Sequence, residues 1–198
     1  MTAPPDDGWD QALAELLAGQ SEAAPEAAPE AAQSAVLAFG IGDKRLLAAL
    51  LKGPGIAARA LDADGMGMAV LDDPSEQAAI GAARTASGTL RGQQVLLLRR
   101  GESADPAAGD IQAYLYLDGL ERQRISPGLV LARSPQLLED LLIDPESAAS
   151  ALAGAVDVTK LSAADAIAII GRSVGAARKA ARGRRSRGRG QDRPEKSE

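Results

Sequence analysis

A series of short apolar runs, each bounded by Gly, Pro or Asp, constrains the fold of this chain more than any other feature of its sequence. The runs Val36–Ile41 and Gln94–Arg99 are shorter than an ordinary helix, and their continuous aliphatic centres are typical of buried strands. Ile111–Leu117 alternates apolar and polar residues, which predicts a half-buried antiparallel strand with Tyr114 and Tyr116 on its outer face. A sheet is therefore expected in the middle of the chain.

Two Asp-Gly dipeptides indicate how the strands connect. Asp64-Gly65 separates the strand candidates Ile56–Asp62 and Gly67–Leu71, and Asp118-Gly119 follows the alternating strand. Both dipeptides favour tight hairpin turns, which pair neighbouring strands antiparallel. A further short strand is expected at Leu129–Ala132.

Capping residues mark the helices. Asp43 suits the N-cap of a helix over Lys44–Lys52, and Asp73-Pro74 starts a helix that runs to about Leu90. Three more helix starts follow, at Ser134-Pro135, Asp144-Pro145 and the capping box Ser162–Asp165. The predicted fold class is α+β: a small, mainly antiparallel sheet with helices packed on one face. The last helix is expected to pack through one apolar face, which consists of Ile167, Ile170, Val174, Ala177 and Ala181. Arg172 and Lys179 lie nearly opposite this face.

Composition divides the chain into three parts: residues 1–33, an N-terminal helix and linker; residues 34–181, the α+β domain; and residues 182–198, an Arg/Gly-rich tail expected to be disordered. The first part combines a short amphipathic helix with a repeated Ala-Ala-Pro-Glu linker. A helix this short is marginal in water, so it must dock on its own body, on a second copy or on another protein. Its partner-binding candidates share one apolar face: Trp9, Leu13, Leu16 and Leu17. Tyr114 and Tyr116 are candidates for the same role on the sheet.

Charge is distributed unevenly along the chain. From Arg172 to the end there are ten Lys/Arg and three Asp/Glu, whereas the preceding residues have twelve and twenty-four. The formal net charge of −5 conceals this asymmetry between an acidic body and a basic end.

The basic residues near the C-terminus are candidates for binding nucleic acid or another polyanion. A guanidinium group donates two parallel hydrogen bonds to phosphate, and contact with the backbone needs no base specificity. An acidic protein, a membrane surface and a purely solvating tail are the alternatives. The candidates, which have no acidic residue between them, are Arg178, Lys179, Arg182, Arg184, Arg185, Arg187 and Arg189.

The sequence contains neither Cys nor His. Their absence excludes disulfides, thiolate nucleophiles and Cys-ligated metals, and removes the usual general base and the commonest metal ligand. The chain is therefore predicted not to be an enzyme, and no cofactor and no catalytic or metal-binding residue is expected.

Two motifs that resemble ligand sites have simpler explanations. Gly40–Lys44 lies between a strand and a helix, as phosphate-binding loops do, but its spacing differs and Arg45 stands where a hydroxyl ligand for Mg²⁺ belongs. The acidic residues of the central hairpin suit turns and caps better than a calcium loop. These acids are Asp62, Asp64, Asp72 and Asp73, and Asp105 and Asp110 are interpreted in the same way.

The first residues do not form a secretory signal, since no basic segment precedes an apolar stretch. No run approaches the roughly 18 apolar residues of a membrane-spanning helix. A cytoplasmic protein without membrane insertion is expected.

The stretch Leu46–Ala86 resembles the roadblock-type regulators of small GTPases. The shared order is a helix, then Gly55-Ile56, a hairpin at Asp64-Gly65 and an Ala-rich helix. The strand Val36–Ile41 and the three terminal helices depart from the family pattern. The resemblance covers about a fifth of the chain. It implies a dimeric, non-catalytic scaffold that acts on a nucleotide-binding partner. The residues that carry it are Leu47, Leu50, Leu51, Ala78, Ala79, Ala82 and Ala83.

Three functions are compatible with these features. The first is a non-enzymatic binding or regulatory adaptor whose Arg-rich end contacts nucleic acid or another polyanion non-specifically. The second is a protein-interaction scaffold or regulator, acting through the N-terminal helix and the sheet face. The third is a small-molecule enzyme that uses the Gly40–Lys44 loop.

Overall fold

The computed structural model of the protein describes residues 33–101 and 111–188, which form seven strands and six helices. The strands are β1 (Ser34–Phe39), β2 (Ala58–Ala63), β3 (Met66–Leu71), β4 (Gln94–Arg100), β5 (Ile111–Leu117), β6 (Leu120–Ile125) and β7 (Val156–Asp157). The helices are α1 (Lys44–Lys52), α2 (Glu76–Thr89), α3 (Pro127–Leu131), α4 (Gln136–Ile143), α5 (Pro145–Ala153) and α6 (Ala163–Gly188).

All strands belong to one antiparallel sheet in the order β6-β5-β4-β1-β3-β2-β7. The predicted α+β class with an antiparallel sheet is thus confirmed. None of the described helices is long and apolar enough to cross a membrane.

Strand β1 lies at the centre of the sheet and is buried on both faces. On one face Leu37 and Phe39 pack with Leu47 of α1 and the alanines of α2. On the other, Val36 and Ala38 pack in a cluster with Leu138 and other residues of α4 and α5. The prediction that helices cover one face of the sheet was therefore wrong, because a continuous apolar strand presents side chains to both sides and both must be removed from water.

Strand β5 corrects a second prediction. Tyr116 is fully buried under α2, and Tyr114 is half-buried at the margin of the same cluster, so neither lies on an open outer face. The Ala-rich surface of α2 leaves room for these rings, which is why the bulkier residues of β5 face it. Burial, followed by the charge of Glu121, raises the pKa of Tyr116 to about 12.

Both predicted hairpin turns are present. Asp64 and Gly65 have positive φ (48° and 82°), as do Asp118 and Gly119 (53° and 78°), the combination that a type I′ turn requires. The second hairpin leads into β6, which the sequence pattern missed because an exposed edge strand has no apolar run.

Leu129–Ala132 is not a strand. Its first three residues belong to α3, which starts at Ser126-Pro127, where Leu129 and Val130 donate backbone hydrogen bonds to the Ser126 carbonyl. Helices α1, α5 and α6 begin directly after their predicted caps, Asp43, Asp144 and Ser162. Helices α2 and α4 begin later than predicted, at Glu76 and Gln136, so Pro74 and Pro135 lie before the first helical residue. Helix α6 continues to Gly188, so residues 182–188 are helical where a disordered tail was expected.

Gly67 in β3 allows the loop before α1 to approach the central hairpin. A Cβ at this position would lie 2.2 Å from the Ile41 carbonyl oxygen and 3.0 Å from a methyl carbon of Leu47. We expect Gly67→Ala to lower the free energy of unfolding by about 1–3 kcal/mol, as measured by urea denaturation, because the backbone must shift to relieve the clash.

The matched control is Gly81→Ala, which adds the same methyl group to α2, where nothing lies within 4 Å of the new atom. It should leave stability unchanged or raise it by about 0.5–1 kcal/mol. Equal effects of the two substitutions would contradict this packing.

Candidate functional site

Helix α6 carries the basic residues singled out in the sequence, and a capping box fixes its start. The Asp165 amide donates a hydrogen bond to Ser162 Oγ (3.0 Å), and Ser162 Oγ donates to Asp165 Oδ2 (2.6 Å). The two side chains thus satisfy the first turn of α6 where the sequence placed its cap.

The first part of α6 is anchored to the domain through α1. Ala166 is buried, and Ile169, Ile170 and Ser173 are half-buried. These positions recur every three or four residues, so they define the side of the helix that faces the domain.

Two lysines of α1 hold the segment that leads into α6. Lys44 Nζ donates a hydrogen bond to the Gly154 carbonyl oxygen (2.9 Å), and Lys52 Nζ donates to that of Thr159 (3.0 Å). Neither lysine was predicted to be an anchor. The only signal in the sequence was their position at the two ends of a short amphipathic helix.

Asp157 organises the turn between β7 and α6. Its Oδ1 accepts hydrogen bonds from the Thr159 hydroxyl (2.6 Å) and amide (2.9 Å), and its Oδ2 lies 3.1 Å from Lys160 Nζ. The Thr159 hydroxyl and then Lys160 lower the pKa of Asp157 to about 2.

The exposed side of α6 differs from the expected one. Ile167 is 72% exposed and Val174 is 45% exposed, whereas Ile170 is half-buried, so only part of the predicted apolar face packs. The last helix packs against α1, and its buried and half-buried residues, Ala166, Ile169, Ile170 and Ser173, define the side that faces the domain. Two branched apolar residues consequently remain on the surface.

Beyond Ser173 the helix becomes the basic arm, a name we use for residues 174–188. Every residue from Val174 to Lys179 whose exposure the structure describes is exposed. The fifteen residues of the arm include six Lys or Arg and no Asp or Glu. The candidates within the arm are Arg178, Lys179, Arg182, Arg184, Arg185 and Arg187, and Arg189 lies outside the described residues.

The other partner-binding candidates are not brought together with the arm. Trp9, Leu13, Leu16 and Leu17 lie outside the described residues, as do Asp105 and Asp110. The side chains of Tyr114 and Tyr116 make hydrogen bonds within the sheet. The Tyr114 hydroxyl donates to Gln112 Oε1 (3.0 Å), with Arg124 5.7 Å from its ring centroid, and the Tyr116 hydroxyl donates to Glu121 Oε2 (3.3 Å).

The Gly40–Lys44 loop is accounted for by packing. Asp43 Oδ1 accepts hydrogen bonds from the amides of Arg45 (2.9 Å) and Leu46 (3.1 Å), the groups that a phosphate would use at this helix start. Gly42 lies against Gly65, where an added Cβ would come within 2.8 Å. The loop is thus a capped connection that fits closely against the first hairpin.

The acidic residues near the hairpin act as turn and cap residues. Asp64 occupies the turn, and Asp73 Oδ1 accepts from the Ser75 amide (2.9 Å), an interaction that lowers the pKa of Asp73. Among residues 33–101 and 111–188, no group of three or more acidic side chains is placed to hold a metal ion.

An open apolar groove lies on the sheet face that α4 and α5 only partly cover. Its volume is about 480 Å³, and Ala38, Met66, Leu96, Leu115 and Ile125 are among its lining residues. Sequence analysis missed it, because the groove combines ends of strands that are distant in the chain.

Comparison with known proteins does not assign this chain to a family: no family model, no curated protein and no solved structure matches it.

The Asp157 turn gives a prediction for acid conditions. A carboxyl group whose pKa is lowered from 3.8 to about 2 stabilises the fold above its unfolded pKa, and that contribution is lost as the pH falls toward 2. We expect the difference in unfolding free energy between the wild type and Asp157→Asn to be constant near neutral pH and to shrink between about pH 4 and pH 2. Urea denaturation followed by circular dichroism at each pH measures it.

Thr159→Val is the control, because it removes the hydroxyl that contributes most to the low pKa while keeping the carboxylate. In the Thr159→Val protein, the change in unfolding free energy caused by Asp157→Asn should depend less on pH between about pH 4 and pH 2. If the difference in unfolding free energy between the wild type and Asp157→Asn stays constant down to pH 2, the lowered pKa of Asp157 is contradicted.

Proposed function

We propose that this chain is a non-enzymatic binding or regulatory adaptor, and that its basic arm contacts nucleic acid or another polyanion without sequence preference. The observation that carries the proposal is the helical continuation of α6 beyond Ser173, which has six Lys/Arg and no acid in fifteen residues. Cations at this density release counterions from a phosphate backbone, which drives binding independently of base sequence.

The charge density of the arm supports a polyanion as its partner. The arm has six Lys/Arg and no Asp/Glu in fifteen residues, whereas the twenty-four Asp/Glu that precede Arg172 are distributed along the chain with twelve Lys/Arg. A nucleic-acid backbone offers negative charges at much closer spacing than these acidic residues do. A cytoplasmic location, where nucleic acid is accessible, belongs to the same proposal.

The non-enzymatic part of the proposal rests on the roles of the charged residues. Asp43, Asp73, Asp144 and Asp157 accept hydrogen bonds from backbone amides in caps and turns. Lys44 and Lys52 are engaged with backbone carbonyls. These groups have structural tasks, and the chain contains no Cys or His to supply the usual nucleophile or base.

A protein-interaction scaffold is the second candidate. The exposed Ile167 and Val174, together with the apolar groove at Leu96 and Leu115, favour contact with a protein. The sheet-face part of this hypothesis no longer includes Tyr116, which is buried, while its N-terminal helix and its dimeric, roadblock-like form stay predictions. Co-purification of one defined partner, lost on Ile167→Glu, would support it.

Fluorescence anisotropy of a labelled 20-base-pair DNA duplex tests the arm. The triple variant Arg178→Gln, Arg182→Gln, Arg185→Gln should weaken binding by about tenfold or more, and should reduce the slope of log affinity against log salt by about 2–3. The wild-type slope should be no steeper than about −6, since the arm and Arg189 supply seven cations.

The matched control is Arg91→Gln, Arg122→Gln, Arg133→Gln, which removes the same number of charges from exposed positions on the domain. It should leave affinity and slope close to those of the wild type. If both triple variants lose the same affinity for DNA, the arm is not the specific contact site. If the wild type does not bind DNA at low salt, the nucleic-acid proposal is overturned.

A further inference from the structure

The helical state of the basic arm limits how it can meet a polyanion. A disordered Arg/Gly tail can follow any phosphate backbone, but residues 174–188 form part of a continuous helix and span about 22 Å. Their positions are therefore fixed relative to one another, so the shape of the partner matters as well as its charge.

Helical periodicity places five of the six basic residues of the arm on two lines beside a third, apolar line, while Lys179 lies nearly opposite the apolar line. At about 100° per residue, Val174, Ala177 and Ala181 follow a narrow strip of small or apolar residues. Basic residues border this strip on both sides: Arg178, Arg182 and Arg185 on one, Arg184 and Arg187 on the other. A strip between two basic borders suits a partner with phosphates on two facing walls.

The major groove of B-form DNA is such a partner. It is about 12 Å wide and 8.5 Å deep, so it admits one helix between two phosphate backbones. Small residues on the strip let the helix approach the floor of the groove, where alanine contacts thymine methyl groups. A-form RNA has a major groove too narrow for a helix, and a single strand has no second wall.

The anchoring of α6 makes the arm ready to bind. A helix of this length is marginal alone, and Gly175 and Gly183 weaken it further. The arm, however, extends a helix that is capped by Ser162 and packed on α1 through Ala166, so nucleation has already occurred in the domain. Order present before binding reduces the entropy lost on association.

We propose that the basic arm binds duplex DNA as a helix in the major groove, with its Val174–Ala177–Ala181 strip toward the base pairs and its two arginine borders on the phosphates. This inference rests on the proposed polyanion-binding function and specifies the partner of the same site. Because the strip has no Asn, Gln or Arg to read base edges, the binding shows little sequence preference.

The test is a helix-breaking substitution that preserves charge. In Ala180→Pro the ring clashes with the Ala176 carbonyl and one backbone donor is lost, while every Lys and Arg is kept. Ala180→Gln is the control, because Gln is a good helix former. Full-length proteins are titrated by anisotropy against a 20-base-pair DNA duplex and an RNA duplex of matched sequence, and thermal unfolding checks that the domain is intact.

The wild type and Ala180→Gln should bind the DNA duplex about tenfold more tightly than the RNA duplex, and Ala180→Pro should lose this preference. Dimethyl sulfate, which methylates guanine N7 in the major groove, should report protection by the wild type but not by Ala180→Pro. Equal affinity of the wild type for both duplexes, or unchanged DNA binding by Ala180→Pro, would overturn the groove proposal and leave non-specific polyanion binding in place. Failure of the wild type to bind either duplex at low salt would overturn both proposals.

Discussion

Burial of β1 on both faces is the constraint on which the rest of the fold depends. Five consecutive residues of this strand, Ala35–Phe39, are buried, and alternate members supply the two clusters on either side of the sheet. A strand in this position cannot leave either face in water, so α1 and α2 cover one side and α4 and α5 the other. The remaining strands then extend the sheet outward to an exposed edge at β6 and a half-buried edge at β7.

The position of the basic arm follows from this arrangement through α1. Leu47 and Leu51 bind α1 to the sheet, and α1 in turn supports the first half of α6. Lys44 and Lys52 connect α1 to the segment before α6, so the direction of the last helix depends on both packing and polar contacts. Long cationic side chains suit this role because their apolar stems pack while their ammonium groups reach backbone carbonyls.

In the proposed function, the arm and the domain have different roles. The domain contributes a capped, packed helix start, and the arm contributes charge without further burial, so changes in the arm should alter binding more than stability. Ile167 and Val174 are exposed apolar residues of the same helix, so the proposed protein contact would share Val174 with the proposed groove contact.

Local signals in the sequence determined the elements of this protein. Asp-Gly turns, N-cap residues and apolar runs act over a few residues, so the hairpins, the start of α6 and strands such as Ile111–Leu117 could be predicted from it. The same holds for the charge of the arm. Edge strand β6 and the two-residue β7 could not be predicted, because their pairing depends on a partner strand and not on their own residues.

Only the tertiary structure decided which faces are covered. The alternating pattern of β5 placed its tyrosines on one side, but the presence of α2 over that side, and the consequent burial of Tyr116, comes from long-range packing. The same reason applies to α6, where contact with α1 selected the side of Ala166 and Ser173 and left Ile167 and Val174 in water. A periodic pattern fixes the relative positions of residues along an element, whereas burial depends on what the rest of the chain brings against it.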